Sequence, residues 1–277
     1  MQHTSEMIAS NDGTRLYLQS WSPETPPRAV VPFVHGWNDH SGRYMNLVNA
    51  LIPAGFAAIG VDLRGNGKSE GQAGYINRWE EYRADITALL DTVSSRYPNV
   101  PQFLLGHSNG GLAVMDYVIH HPDRPLRGLL LSSPFLAEAK VSPIMSAAAK
   151  VLSSIAPRFS MNPGADVNTI SRDPAVVQAY VNDPLLVSLA TPRFATENTI
   201  ARAFVLANLD AIQLPTLCMY GSADGLVPPQ VTRDAFVKIG SQDKTRHEYE
   251  GSYHELINDL DKEKVLADIV VWLTARL

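Results

Sequence analysis

Short apolar runs alternate along the chain with longer stretches whose apolar residues recur every three or four positions. Thr14 to Trp21 alternates with the period of two expected of an early antiparallel strand. Val30–Val34, Phe56–Val61, Phe103–Leu105, Gly128–Leu131, Pro215–Tyr220 and Thr245–Tyr249 are short runs expected as strands. Helical patterns lie between them. One is expected from Tyr44 to Ile52. A long one carries Tyr82, Ile86, Leu89, Leu90, Val93 and Tyr97 on one face, and another follows Ser108 with Leu112, Met115 and Ile119. A further helix is expected after Pro229. A closing helix presents Leu266, Ile269, Val270, Leu273 and Leu277. Strands alternating with helices predict a mostly parallel central sheet flanked by helices on both faces.

Between 135 and 204 this alternation stops. The segment is rich in Ala, Ser and Pro, shows no convincing strand, and places Ile144, Ala148, Val151, Leu152 and Ile155 on one helical face. So long a stretch within a compact domain is expected to have structure of its own. It reads as a helical cap, 135–204, inserted into an α/β core formed by 1–134 and 205–277. No internal repeat is visible.

Composition narrows the class. The chain has 277 residues, 45% of them hydrophobic, and a net charge of −5. These values suit a soluble globular protein with ample core, and the mild acidity makes no case for nucleic acid. The N-terminal MQHTSEMIASNDGTRLYL lacks a basic-then-apolar leader, and no apolar run is long enough to span a bilayer. The single cysteine, Cys218, can form no internal disulfide and is expected to pack as a small hydrophobe. A cytoplasmic location is therefore expected.

Candidate chemistry centres on Gly106-His107-Ser108-Asn109-Gly110, which fits G-x-S-x-G between a strand and a helix. In that context the serine sits on a sharp turn, and the flanking small residues keep the backbones from colliding. A capping serine is the plainer alternative. Two phosphate-binding look-alikes fail. Gly67-Lys68-Ser69 has Asp62 where a P-loop needs its first glycine, and Gly65-Asn66-Gly67 has Glu70 where a dinucleotide fingerprint needs its third. No His/Asp/Glu cluster has metal-ligand spacing.

A serine nucleophile needs a base and a group that orients the base. His254, in the loop between the last strand and the last helix, is the expected base. Asp224, just beyond the strand ending near Tyr220, is the expected acid. His120 and His121 lie at the far end of the helix after Ser108, and His247 lies within a strand. Asp210 and Asp243 precede their strands, and Glu255 is expected to point away from its neighbour His254. The oxyanion hole is expected from the backbone N–H groups of Trp37 and Asn109, leaving the Asn109 side chain free to vary.

With these pieces in place, the chain resembles the monoglyceride lipase and lysophospholipase branch of the α/β-hydrolases over nearly its whole length. The resemblance rests on "HGWNDHSGRY" from His35, "VDLRGNGKSEG" from Val61, "GHSNGG" from Gly106, "SRDPAVVQAYVNDPL" from Ser171, "GSADGLV" from Gly221 and "SQDKTRHEYEGSYHEL" from Ser241. It implies an α/β-hydrolase fold, a Ser108–Asp224–His254 triad, a cap over an apolar acyl tunnel, and hydrolysis of monoacylglycerols or similar single-chain esters without a cofactor. Members of this branch usually carry a small residue after the His-Gly pair and often Met after the serine, where this chain has Trp37 and Asn109. Those two residues, with Val151 and Leu152 of the cap, are expected to touch substrate. The cap is also expected to make transient contact with membranes or lipid aggregates. The alternatives are a general carboxylesterase or lysophospholipase acting on shorter or aromatic esters and, outside enzymes, a ligand-binding receptor or scaffold.

Overall fold

The computed structural model of the chain describes residues 1–137, 143–164 and 166–277, with the backbone alone for 143–148. Among the described residues, eight strands form one sheet: β1 (Gln2–Ala9), β2 (Arg15–Ser22), β3 (Ala29–Val34), β4 (Phe56–Val61), β5 (Phe103–His107), β6 (Gly128–Ser132), β7 (Thr216–Gly221) and β8 (Lys244–Tyr249). Their spatial order is β1-β2-β4-β3-β5-β6-β7-β8. β1 pairs antiparallel with β2, and β2 with β4. All the other pairings are parallel.

Every residue of β3, β4, β5, β6 and β7 is buried, as befits parallel strands covered on both faces. β2 keeps the expected alternation. The predicted core helices all form: α1 (Met45–Leu51), α2 (Glu80–Arg96), α3 (Asn109–His120), α7 (Pro229–Lys238) and α8 (Lys262–Thr274). On α2 the expected face is buried from Tyr82 to Val93, together with Asp85. The buried face of α8 is Val265, Ile269, Trp272 and Leu273. Leu277 lies beyond the helix end, so this face sits slightly off the expected one.

β1 has no counterpart in the expected elements. Its side chains are almost all exposed, so no burial pattern marks it. It forms because an Asn11-Asp12-Gly13 turn folds it back on β2. Gly13 has a φ of 85°, and the Thr14 N–H donates to Asp12 Oδ1 at 3.0 Å.

Among the described residues, three α-helices follow β6 in the interrupting segment: α4 (Pro143–Ile155), α5 (Pro174–Asn182) and α6 (Pro192–Ala207). Asp173 and Thr191 cap α5 and α6, each with proline at the first helical position. The expected boundary at 204/205 falls inside α6, which runs on to Ala207 and packs against α3. Val151 and Ile155 of α4 are exposed, and Leu152 is half-buried. The side chains of Ile144 and Ala148 lie outside the described residues. Among the described residues no helix is long and apolar enough to cross a membrane.

Candidate active site

Ser108 joins β5 to α3 with φ 51° and ψ −119°, a conformation that costs free energy in any residue with a Cβ. The surroundings hold it there. Its N–H donates to the Ser132 carbonyl at 2.9 Å, and its carbonyl accepts from Leu112 and Phe135. The flanking glycines are steric requirements. A Cβ on Gly106 would stand 2.5 Å from both the Gly110 carbonyl oxygen and Val114 Cγ2. One on Gly110 would collide with the carbonyls of Val34 and His35.

His254 and Asp224 meet on loops beyond the carboxyl ends of β8 and β7. His254 Nδ1 is 2.7 Å from Asp224 Oδ2, and both residues are buried. The other Asp224 oxygen accepts the N–H groups of Leu226 and Val227, each at 2.9 Å, which fixes the carboxylate plane. The Ser133 hydroxyl donates to the His254 carbonyl at 2.8 Å, so the loop after β6 supports the loop that carries His254. Burial pushes the His254 pKa down. The charge and hydrogen bond of Asp224 outweigh that, with Glu255 and Asp39 adding, and the net direction is up. His107, whose ring centroid lies 5.0 Å from that of His254, behaves oppositely. Burial and the neighbouring His254 hold it down at about 3, so it is neutral at physiological pH.

The loop after β3 lies against the serine: a Cβ on Gly36 would stand 3.2 Å from Ser108 Cβ. Among the described residues, neither the Trp37 nor the Asn109 backbone N–H donates to another protein group. The loop is braced from behind. Leu63 N–H donates to His35 Nε2 at 2.9 Å, so Nδ1 carries the proton and donates to the Gly36 carbonyl at 2.7 Å. Buried Asp39 accepts from the Gly36 N–H, the Tyr44 hydroxyl and Arg43. Arg43 also donates a pair of hydrogen bonds to Glu255, at 2.9 and 2.7 Å. The loop after β3 and the loop that carries His254 are thus joined by one guanidinium.

The cap attaches to the same region. Asn38, at φ 50°, donates from Nδ2 to the Tyr180 hydroxyl and to Ser188 Oγ, both at 2.8 Å. His40 Nε2 is 2.9 Å from Asp183 Oδ2, and the Arg43 guanidinium stacks 4.7 Å from the Tyr180 ring centroid. From α6, Asn198 Nδ2 donates to Asn109 Oδ1 at 2.6 Å. The expectation that the Asn109 side chain is free to vary is therefore corrected: it is buried and holds the cap. Glu255 points away from His254 as expected, and its carboxylate is a buried partner of Arg43. Trp37 is half-buried against the main core cluster, and among the described residues its indole N–H has no hydrogen-bond partner. Val151 is 61% exposed, on the outside of the cap rather than in an enclosed pocket.

The rejected candidates lie apart from the site. His120 ends α3, stacked on Phe204, with His121 next in the chain. His247 is on edge strand β8, and Asp243 binds Arg276. Burial pushes the Cys218 thiol up to about 12, which leaves it unreactive. The two glycine look-alikes also find a structural purpose. Gly65 and Gly67 turn with φ of 73° and 54°, and Gly67 has no room for a Cβ against the Asp62 carboxylate.

A parallel sheet, a serine on a strained strand–helix turn, and a His–Asp pair on later loops define an α/β-hydrolase of the serine type. The family model Hydrolase_4, described as serine aminopeptidase S33, matches residues 25–261. A monoacylglycerol lipase of Mycolicibacterium smegmatis is 32% identical over 98% of this chain and 96% of its own length. The monoglyceride lipase of Homo sapiens is 31% identical over 97% of this chain and 90% of its own. The crystal structure of a Paleococcus ferrophilus monoacylglycerol lipase superposes with a TM-score of 0.87 at 34% identity, covering 95% of this chain and 99% of that one. The chain belongs to this family, in the monoglyceride lipase branch of the α/β-hydrolases, and is a carboxylic ester hydrolase.

Proposed function

We propose that the protein hydrolyses monoacylglycerols and similar single-chain esters through an acyl-enzyme on Ser108. The observation that carries this reading is the buried 2.7 Å contact of His254 Nδ1 with Asp224, beyond the strand ends, with the His254 ring centroid 5.0 Å from that of His107, which precedes a serine on a strained elbow. Asp224 accepts a hydrogen bond from the Nδ1–H, which fixes the proton on Nδ1 and leaves Nε2 as the free base. Nε2 takes the Ser108 proton as Oγ attacks the ester carbonyl. The N–H groups of Trp37 and Asn109 receive the oxyanion, a role for which both remain available. His254 then gives its proton to the departing alcohol. A water deprotonated by His254 attacks the acyl-enzyme, the acid leaves, and Ser108 regains its proton. No step draws on a cofactor.

The single-chain lipid substrate rests on the relatives at 31 and 32% identity, which are named as monoacylglycerol lipases. The helical segment 135–207 serves as the cap. Its exposed Val151, Ile155 and Phe159 are the surface through which the enzyme meets lipid aggregates from a cytoplasmic location.

The test is a hydrolysis panel crossing acyl length with head group, run on wild type and Ser108→Ala. Wild type is expected to favour monoacylglycerols over lysophospholipids and diacylglycerols, and Ser108→Ala to be inactive with an unchanged circular dichroism spectrum. Turnover by Ser108→Ala would remove the nucleophile from the mechanism. A preference for short aryl esters alone would replace the lipid substrate with a general carboxylester.

A further inference from the structure

The residue after the serine carries an observation that ester hydrolysis alone does not use. Asn109 is buried at the first position of α3, and its Oδ1 accepts from Asn198 Nδ2 across the cap boundary at 2.6 Å. Asn198 is itself 97% buried, the complement of its 3% exposure, yet no donor among the described residues reaches its Oδ1. A carbonyl oxygen buried without a donor is unfavourable, and the penalty is removed when a donor arrives. The cap thus brings a buried acceptor without a donor among the described residues against the side chain of Asn109, the residue that follows Ser108. A wall built for hydrocarbon alone would not carry it.

We infer that Asn198, held by Asn109, is a specificity-determining residue that accepts a hydrogen bond from a substrate hydroxyl near the scissile ester. This deepens the proposed ester hydrolysis and rests on it. An ester whose hydroxyl reaches Asn198 Oδ1 is favoured over its deoxygenated counterpart, because the counterpart leaves that oxygen buried and unpaired. The hydroxyl belongs either to the alcohol, as in a glycerol ester, or to a hydroxylated acyl chain. The shared chemistry is a neutral donor, and two arms of one experiment separate its sources.

The first arm compares the glyceryl monoester of a medium-chain acid with the propyl ester of the same acid. The second compares the methyl ester of a hydroxylated medium-chain acid with its plain counterpart. Both are run on wild type and on Asn109→Met/Asn198→Leu, which replaces both amides so that neither is stranded. Wild type is expected to prefer the hydroxyl-bearing ester about tenfold in kcat/KM in one arm, with most of the difference in KM. In the double variant that ratio should fall to near one. The arm that shows the effect identifies the source. An equal ratio in both proteins overturns the role of the amide pair, and so does a wild type with no preference in either arm. Wild type that turns over no ester takes down the ester reading as well, so the two failures are distinguishable. Ser108→Ala supplies a measurement that needs no change in the cap. It should bind the intact hydroxyl-bearing ester about tenfold more tightly than its counterpart, and equal affinity in both arms overturns the inference.

Discussion

Replacing Arg43 with methionine tests whether the guanidinium that joins the loop after β3 to the loop after β8 holds the molecule together. The side chains of Arg43, Asp39 and Glu255 are only 11%, 6% and 7% exposed. In Arg43→Met the apolar stem survives, but two buried carboxylates lose their cation. Asp39 keeps the N–H groups of Gly36 and His40 and the Tyr44 hydroxyl, and Glu255 keeps Asn258 Nδ2 at 3.0 Å. Breaking a buried pair by removing one partner costs about 3–5 kcal/mol. The control is Arg15→Met. Arg15 is 2.7 Å from Glu70, but these side chains are 65% and 46% exposed, so the loss there should stay below about 1 kcal/mol. Urea unfolding of all three proteins, followed by circular dichroism, measures both differences. The pH dependence has a definite sign. Burial pushes the Asp39 carboxyl up, but the Arg43 charge foremost, with other neighbours, overcomes it and the net direction is down. Stability from a depressed carboxyl is present above its unfolded value of about 3.9 and is lost as the pH falls through the folded value. The deficit of Arg43→Met should therefore be full at pH 7 and shrink in acid below about pH 4. A deficit at pH 7 no larger than that of Arg15→Met would refute the reasoning.

Three other measurements follow from the site. Asp224→Asn should lower kcat by roughly 10⁴ with an unchanged fold, and a loss under tenfold would mean that His254 is oriented by something else. Ester turnover should rise with pH as His254 loses its proton, with a midpoint above the ordinary histidine value of about 6.5. Glu255→Gln removes one of the charges raising that midpoint, so the kcat/KM profile should move to lower pH; no movement, or movement upward, contradicts the assigned cause. Val151→Asp should raise KM for emulsified monoacylglycerol while sparing a soluble short ester, because Val151 is exposed on the cap; equal loss on both substrates would argue against lipid contact.

The parallel strands were legible because burial on both faces leaves continuous apolar runs, and the expected Phe56–Val61 coincides with β4. The position of the elbow was legible for a similar local reason, since the glycines at 106 and 110 are set by backbone collisions within a few residues. β1 was not, because an exposed edge strand need carry no apolar pattern, although its Asn-Asp-Gly turn was a usable signal. The contacts of Glu255 were equally hidden. Its partner Arg43 lies 212 residues away in the chain, and spacing carries no information about such a pair. The Asn109–Asn198 contact spans 89 residues and joins two residues that each look like unremarkable helix positions.

That long-range polar contacts were missed explains why some stretches carried more of the resemblance than the elbow did. The glycine–serine turn solves a backbone problem that any serine α/β-hydrolase must solve, so it marks the fold without marking the branch. "HGWNDHSGRY", "SRDPAVVQAYVNDPL" and the end of "SQDKTRHEYEGSYHEL" solve a problem of assembly. The first supplies Asn38, His40 and Arg43. The second supplies Tyr180 and Asp183 to meet them, with Ser188 three residues beyond its end. The second also supplies Arg172, which binds Asp259 at 2.9 Å just after the third motif, and the third supplies Glu255 to Arg43. A cap tied by several polar contacts to the loop that packs against the serine couples access to the site with the position of the proposed oxyanion donors. Loosening the cap at Tyr180 should therefore disturb kcat as well as KM, whereas a cap that merely covered the site would change KM alone.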